Sequence, residues 1–232
     1  MSDSKSALRA LTVGALALVV GVQAHAATLT EGFEVVVPAG WSVKNNSTTV
    51  GSTGWFQGNT TVFPAFAGTA ASYAGANFNN TTGTGTISNW LIAPTLTFNN
   101  GDKVSFYTRT TDPATYPDRL ELRFSNVGGT NVGTLPTDVG AFSLLLSVNS
   151  ALTTTGYPTV WTQFTSTISG LSGPTTGAIA FRYFVTNGGP TGINSDYIGI
   201  DSVAITPVPE ASTWLMMGLG LSALAAVRRR RA

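Results

Sequence analysis

From Thr28 to Thr206 apolar residues recur mainly at every second position, in short runs separated by glycine, proline and asparagine. Side chains alternate between the two faces of an extended strand, so a period of two predicts half-buried strands. Arg119 to Phe124 is the clearest case. Leu120, Leu122 and Phe124 are predicted to point inward, and Arg119, Glu121 and Arg123 into solvent. Lys103–Arg109, Trp161–Ile168, Ala178–Val185 and Tyr197–Ile205 read in the same way, and Thr28–Val37 opens the series. Trp90–Phe98 is broken by Pro94, which predicts a strand edge or bulge there. Residues 44–87 are rich in Gly, Thr and Asn but hold Trp55, Phe56, Phe63, Phe66, Tyr73 and Phe78. They are expected to form long loops with short strands, packed by those aromatics. This part of the chain has no ten-residue amphipathic helix pattern. The expected fold is all-β, a jelly-roll β-sandwich.

Two unbroken apolar runs lie outside this pattern. Ala10–Val22, apolar apart from Thr12, follows Lys5 and Arg9 and precedes Ala24-His25-Ala26. A basic region, a short apolar core and an A-x-A site predict a signal peptide cut after Ala26. Trp214–Val227 has 14 residues and is followed by Arg228, Arg229, Arg230 and Arg231. At about 1.5 Å per residue it would span roughly 21 Å of a hydrocarbon core about 30 Å thick. The arginines mark the cytoplasmic side. Length and charge suit an ordinary tail anchor as well as a transient one. The expected organisation is a signal peptide at 1–26, a β-sandwich at 27–206 and a sorting segment at 207–232, with its transmembrane helix at 214–227.

Val208-Pro209-Glu210, the apolar run and the arginine cluster together resemble the PEP-CTERM sorting signal of Gram-negative bacteria. The one departure is Ala211, where that family usually carries a second proline. The resemblance implies export by the Sec machinery, brief anchoring in the inner membrane and cleavage near Pro209-Glu210 by an exosortase. It also implies delivery to the cell surface or extracellular matrix, usually in species that make exopolysaccharide.

Setting the two end segments aside changes the charge. The whole chain is +1 at pH 7, but the stretch between them has six basic and nine acidic side chains, a net −3. No basic cluster suggests nucleic acid. The chain has no cysteine, and its one histidine, His25, falls in the signal peptide. A Ser-His-Asp triad, a Cys-His pair and a histidine zinc site are thereby excluded from the domain, which favours a non-enzymatic role.

A second resemblance runs along the domain. Its pieces are Glu31-Gly32-Phe33-Glu34, Pro38-Ala39-Gly40-Trp41, Ser88–Pro94, Arg119–Ser125, Trp161–Phe164, Ala180–Tyr183 and Ile200–Ile205. In this order they are similar to the choice-of-anchor J family, related to cleaved-adhesin and MAM-like jelly-roll domains. That resemblance implies a sandwich with a surface role and names no ligand.

Three sets of residues are candidates for chemistry. Glu34 and Asp201 lie near the first and last strands, which are often neighbours in a jelly roll. Their oxygens could meet at a Ca²⁺, with Asp196 or Glu31 adding a ligand, or could simply hydrogen-bond nearby loops. Asp118 and Glu121 fit a glycosidase pair poorly, because Glu121 between Arg119 and Arg123 reads as a solvated ion pair. Among Trp41, Trp55, Trp90 and Trp161, Trp55 in a Gly-rich loop is the one expected to be exposed for stacking on a glycan. The resulting expectation is an exported, non-enzymatic surface protein engaged in adhesion or in exopolysaccharide and biofilm association. The alternative is a lectin-like carbohydrate-binding module, calcium-stabilised.

Overall fold

A computed structural model of the chain describes residues 28–208. Ala24 and Ala26 of the expected cleavage site, Pro209, Glu210, the apolar run 214–227 and Arg228–Arg231 lie outside the described residues. The strands are β1 (Leu29–Glu31), β2 (Ser42–Asn45), β3 (Thr48–Val50), β4 (Phe56–Gln57), β5 (Ala74–Asn77), β6 (Thr81–Ile92) and β7 (Leu96–Phe98). They continue with β8 (Lys103–Thr110), β9 (Leu120–Ser125), β10 (Ser143–Val148), β11 (Thr162–Thr167), β12 (Thr175–Gly188) and β13 (Tyr197–Thr206). Among the described residues the only helical element is a 3₁₀ turn at Phe78–Asn80.

Two antiparallel sheets form the expected sandwich. One runs β11-β8-β13-β5-β4, with β1 also paired to β13; the other runs β10-β9-β12-β6-β2, with β3 beside β6 and β7 beside β12. First and last strands are neighbours, Leu29 opposite Ile205. Pro94 does break a strand: β6 ends at Ile92, β7 begins at Leu96, and both pair with β12. Between the sheets, Ile179, Phe181, Tyr183 and Val185 of β12 join a buried core with Val104 and Phe106 of β8 and Ile198, Ile200, Val203 and Ile205 of β13. Phe106 and Phe181 meet edge to face at 5.0 Å.

Two strands differ from the pattern read in the sequence. The first half of β6, Thr81–Thr86, alternates threonine and glycine and carries no apolar signal. β10 presents Leu144-Leu145-Leu146 in a row, and a shift in pairing between Leu144 and Leu146 accompanies the run.

The outer faces are also packed. On the second sheet the β9–β10 loop, residues 126–142, lays Val132, Val139 and Phe142 against Trp90, Ile92, Ala178 and Ala180. On the first sheet the β4–β5 loop, residues 58–73, brings Phe63 and Tyr73 against Tyr197 and Trp161. Gly199 of β13 is required at that contact. A Cβ there would come within 2.8–2.9 Å of the Trp161, Phe63 and Tyr73 rings.

The β9–β10 loop overturns the solvated reading of Glu121. The residue does face outward with Arg123, but the loop closes over both, leaving Glu121 6% and Arg123 9% exposed. Glu121 Oε2 accepts from Arg123 Nε at 2.7 Å and from Arg182 Nη1 at 3.2 Å. Two guanidiniums share one carboxylate; the Ser88 hydroxyl accepts from Arg182 Nε at 3.0 Å, and backbone carbonyls take further donors. Arg182 Nη2 donates to Pro136 O and Arg123 Nη1 to Phe142 O. The Arg182 guanidinium lies 3.7 Å from the centre of the Phe184 ring and 5.0 Å from that of Trp90. Burial pushes its pKa down to about 10, opposed by Glu121. Glu121→Gln leaves two buried cations unpaired. It should cost about 3–5 kcal/mol of stability in urea unfolding, and a cost below about 1 kcal/mol would show that the cluster is solvated.

Candidate functional site

Four places gather the polar groups that bear on function: the C-terminal junction after β13, Asp201 in the middle of that strand, Asp196 just before it and the tryptophans. At the junction β13 stops at Thr206, because Pro207 has no N–H for the ladder. The next residue is held: Val208 N donates to Asp102 Oδ1 at 3.3 Å. Asp102 is fully buried, and its Oδ2 accepts from Asn99 N at 2.8 Å. Gly101, at φ +95°, lets the turn pass close beneath the Val208 side chain. Val208 is therefore docked on the β7–β8 turn while remaining 45% exposed. The turn signal Asn99-Asn100-Gly101 was legible in the sequence; that its aspartate would hold the chain beyond the last strand was not.

Asp201 and Glu34 act on the same loop. Asp201 is buried on the outer face of β13, where Oδ2 accepts from Phe66 N at 2.8 Å and Ala67 N at 3.0 Å. Its Oδ1 accepts from Ser202 N at 2.5 Å. Burial pushes its pKa up, against these hydrogen bonds. Glu34 Oε2 accepts from Ser72 Oγ at 2.6 Å and, at 3.4 Å, from Thr69 Oγ1. Glu31, offered as a third ligand, instead accepts from Phe33 N at 2.7 Å. Among the described residues no three Asp, Glu, His or Cys side chains gather around one point.

Asp196 stands at the opposite end of β13 from Val208, and Asp118 supports it. Asp118 is fully buried, with Oδ1 accepting from Tyr183 OH at 2.5 Å and from Asp196 N at 2.9 Å, and Oδ2 from Thr110 Oγ1 at 2.7 Å. Glu121 belongs to the ion cluster on the outer face, so Asp118 and Glu121 are engaged in separate networks. Burial pushes the Asp118 pKa up to about 6, although its three hydrogen bonds pull the other way.

The tryptophans need a correction. Trp55 was expected on the surface, but it is 7% exposed, packs into the inter-sheet core and donates Nε1–H to Asn89 O at 3.3 Å. A Gly-rich loop was read as solvated, yet it folds inward because the indole finds both apolar neighbours and a carbonyl. Trp41 and Trp90 are buried too; Trp161 is half-buried and donates to Pro64 O at 2.9 Å.

Residues 207–231 match the PEP-CTERM protein-sorting motif, which marks an exported protein sorted to the cell surface and processed by an exosortase. No curated protein sequence matches this chain. The fold is similar to the K1 cleaved adhesin domain of Lys-gingipain from Porphyromonas gingivalis W83, with a TM-score of 0.55 and 24% identity over 79% of this chain and 99% of that one. It is also similar to the K3 cleaved adhesin domain of the same protein, with a TM-score of 0.51 and 24% identity over 78% of this chain and 98% of that one.

The raised pKa of Asp118 gives a pH dependence with a definite sign. The folded state binds this proton more tightly than the unfolded chain, where a free aspartate titrates near 3.9. Stability from this group is fully present at low pH and is lost as pH rises through about 6. Asp201 contributes in the same direction. Acidification from pH 7 to pH 5 should therefore add about 1 kcal/mol through Asp118. Asp118→Asn should remove that increment when the two proteins are compared by thermal unfolding across the pH range.

Proposed function

We propose that this chain is a non-enzymatic surface protein of a Gram-negative bacterium. Its sandwich holds exopolysaccharide or biofilm matrix once the C-terminal segment has been processed. The observation that carries the reading is the direct attachment of an adhesin-like sandwich to the sorting motif, which begins at Pro207, the residue after β13. The described residues contain no histidine or cysteine, and Asp118, Glu121 and Asp201 are committed to structural hydrogen bonds and ion pairs. Both points support a binding role over a hydrolytic one.

In this reading Ala24 and Ala26 present the signal-peptide cut, Val208, Pro209 and Glu210 present the exosortase site, and Arg228–Arg231 stop transfer through the inner membrane. Full-length protein expressed with an exosortase should leave the membrane fraction and co-sediment with the host's exopolysaccharide. A Pro209→Ala, Glu210→Ala variant should stay in the membrane. Equal release of the two proteins would remove the motif from the mechanism. Failure of released wild-type protein to bind matrix would remove the adhesive role.

Calcium enters as a proposal for Glu34 and Asp201, which would tie the β4–β5 loop to β13 through the ion as well as through hydrogen bonds. Calorimetric titration of chelator-treated full-length protein should then release heat and raise the melting temperature. No heat and no shift would leave both carboxylates as hydrogen-bond anchors alone. The second reading, a lectin-like module, is favoured by a specific cavity at the Asp196 end.

A further inference from the structure

A cavity of about 120 Å³ opens at that end, lined by Phe78, Tyr116, Gly189, Pro190, Ser195 and Asp196 among others. Three separate segments build it, and hydrogen bonds tie them together. Ser195 N donates to Pro117 O at 2.9 Å, and Ser195 Oγ accepts from Gly189 N at 2.9 Å. Phe78 N donates to Asp196 O at 3.0 Å, and Asp196 N is held by buried Asp118. The walls are therefore set before any ligand arrives, which lowers the ordering cost of binding.

Two side chains on this frame remain available. Tyr116, on a short loop between Pro113 and Pro117, is 45% exposed, whereas the other tyrosines among the described residues are buried or half-buried. Asp196 uses Oδ2 to accept from Thr111 Oγ1 at 3.0 Å, and Oδ1 has no hydrogen-bond partner among the described residues. An aromatic face beside a carboxylate acceptor suits a ligand with an apolar C–H face and a rim of hydroxyl donors. That is the chemistry of a sugar ring. The sign of the charge narrows the class, because the Asp196 carboxylate in the lining repels a uronate or sulfate. Size narrows it further. About 120 Å³ falls well below the roughly 300–1,000 Å³ of pockets for drug-sized ligands, so there is room for one ring and not for an oligosaccharide.

Placement agrees with use. Asp196 immediately precedes β13 and Pro207 immediately follows it, so the strand's ten residues separate cavity from tail by about 30 Å. The cavity faces away from the end by which the chain is sorted.

We propose that this cavity binds a single neutral sugar ring, stacked on Tyr116 and hydrogen-bonded to Asp196. The proposal rests on the polysaccharide-binding reading and gives it a site. Detergent-solubilised full-length protein should be screened against neutral glucans, galactans and mannans alongside polyuronates. The expected result is binding to a neutral glycan, weakened at least about tenfold by Tyr116→Ala, largely kept by Tyr116→Phe and accompanied by an unchanged melting temperature. Asp196→Asn should reduce the discrimination against polyuronates. If a neutral glycan binds Tyr116→Ala as tightly as wild type, this site is wrong while the polysaccharide reading stands. Binding to polyuronates alone also overturns the site, and binding to no glycan overturns both.

Discussion

The buried guanidinium of Arg182 makes a fold with packed outer faces possible. It reaches out of the second sheet to a backbone carbonyl of the β9–β10 loop, shares Glu121 with Arg123 and sits against the faces of Trp90 and Phe184. The first sheet uses the opposite charge for the same purpose. Asp201 projects from β13 and accepts two backbone N–H groups of the β4–β5 loop. A cation holds a loop by its carbonyls, and an anion holds a loop by its amides. Each buried charge is tolerated because it has several partners and would be costly with fewer. A chain without cysteine thus gains a covering layer on each sheet with no disulfide.

That solution determines where a ligand can reach the domain. The tryptophans that could have offered a stacking surface are used as packing: Trp90 lies beneath one covering loop, Trp161 beside the other, and Trp55 inside. With much of both broad faces occupied by the protein's own loops, polar and aromatic groups remain accessible at the ends of the sandwich. There Asp118 braces Asp196 from within, and its own burial leaves its protonation sensitive to mild acid.

Alternation in the sequence was sufficient to find β8, β9, β12 and β13, because each presents one face to the inter-sheet core. It could not find Thr81–Thr86, whose place in β6 comes from pairing and not from burial of an apolar face, nor β10, whose three leucines show no period. For β9 the alternation correctly separated Leu120, Leu122 and Phe124 from Glu121 and Arg123, yet the polar face also proved buried. Period two separates faces; it does not say what lies on either side of a sheet. The covering loops are long-range partners with no local signature, and the solvated reading of Glu121 and the exposed reading of Trp55 failed for that reason. The expected pairing of the first and last strands is present, but Glu34 and Asp201 hydrogen-bond different residues and do not meet. What they share is a loop whose contacted residues, Phe66, Ala67, Thr69 and Ser72, lie more than thirty positions from the nearer of them.

The pairing of β1 with β13 gives the domain its polarity. Leu29 lies opposite Ile205, so the first and last described strands bring the two ends of the described chain together at one end of the sandwich. There Asp102 holds Val208, which places the start of the motif against the folded body and leaves Pro209 as the next residue. A cut beyond Val208 leaves untouched every pairing that β13 makes with β1, β5 and β8. Processing beyond Val208 therefore calls for no rearrangement of the described sheet. The opposite end, with Tyr116 and Asp196, lies a ten-residue strand, about 30 Å, from that cut, so under the proposed function cleavage would leave the cavity unaltered.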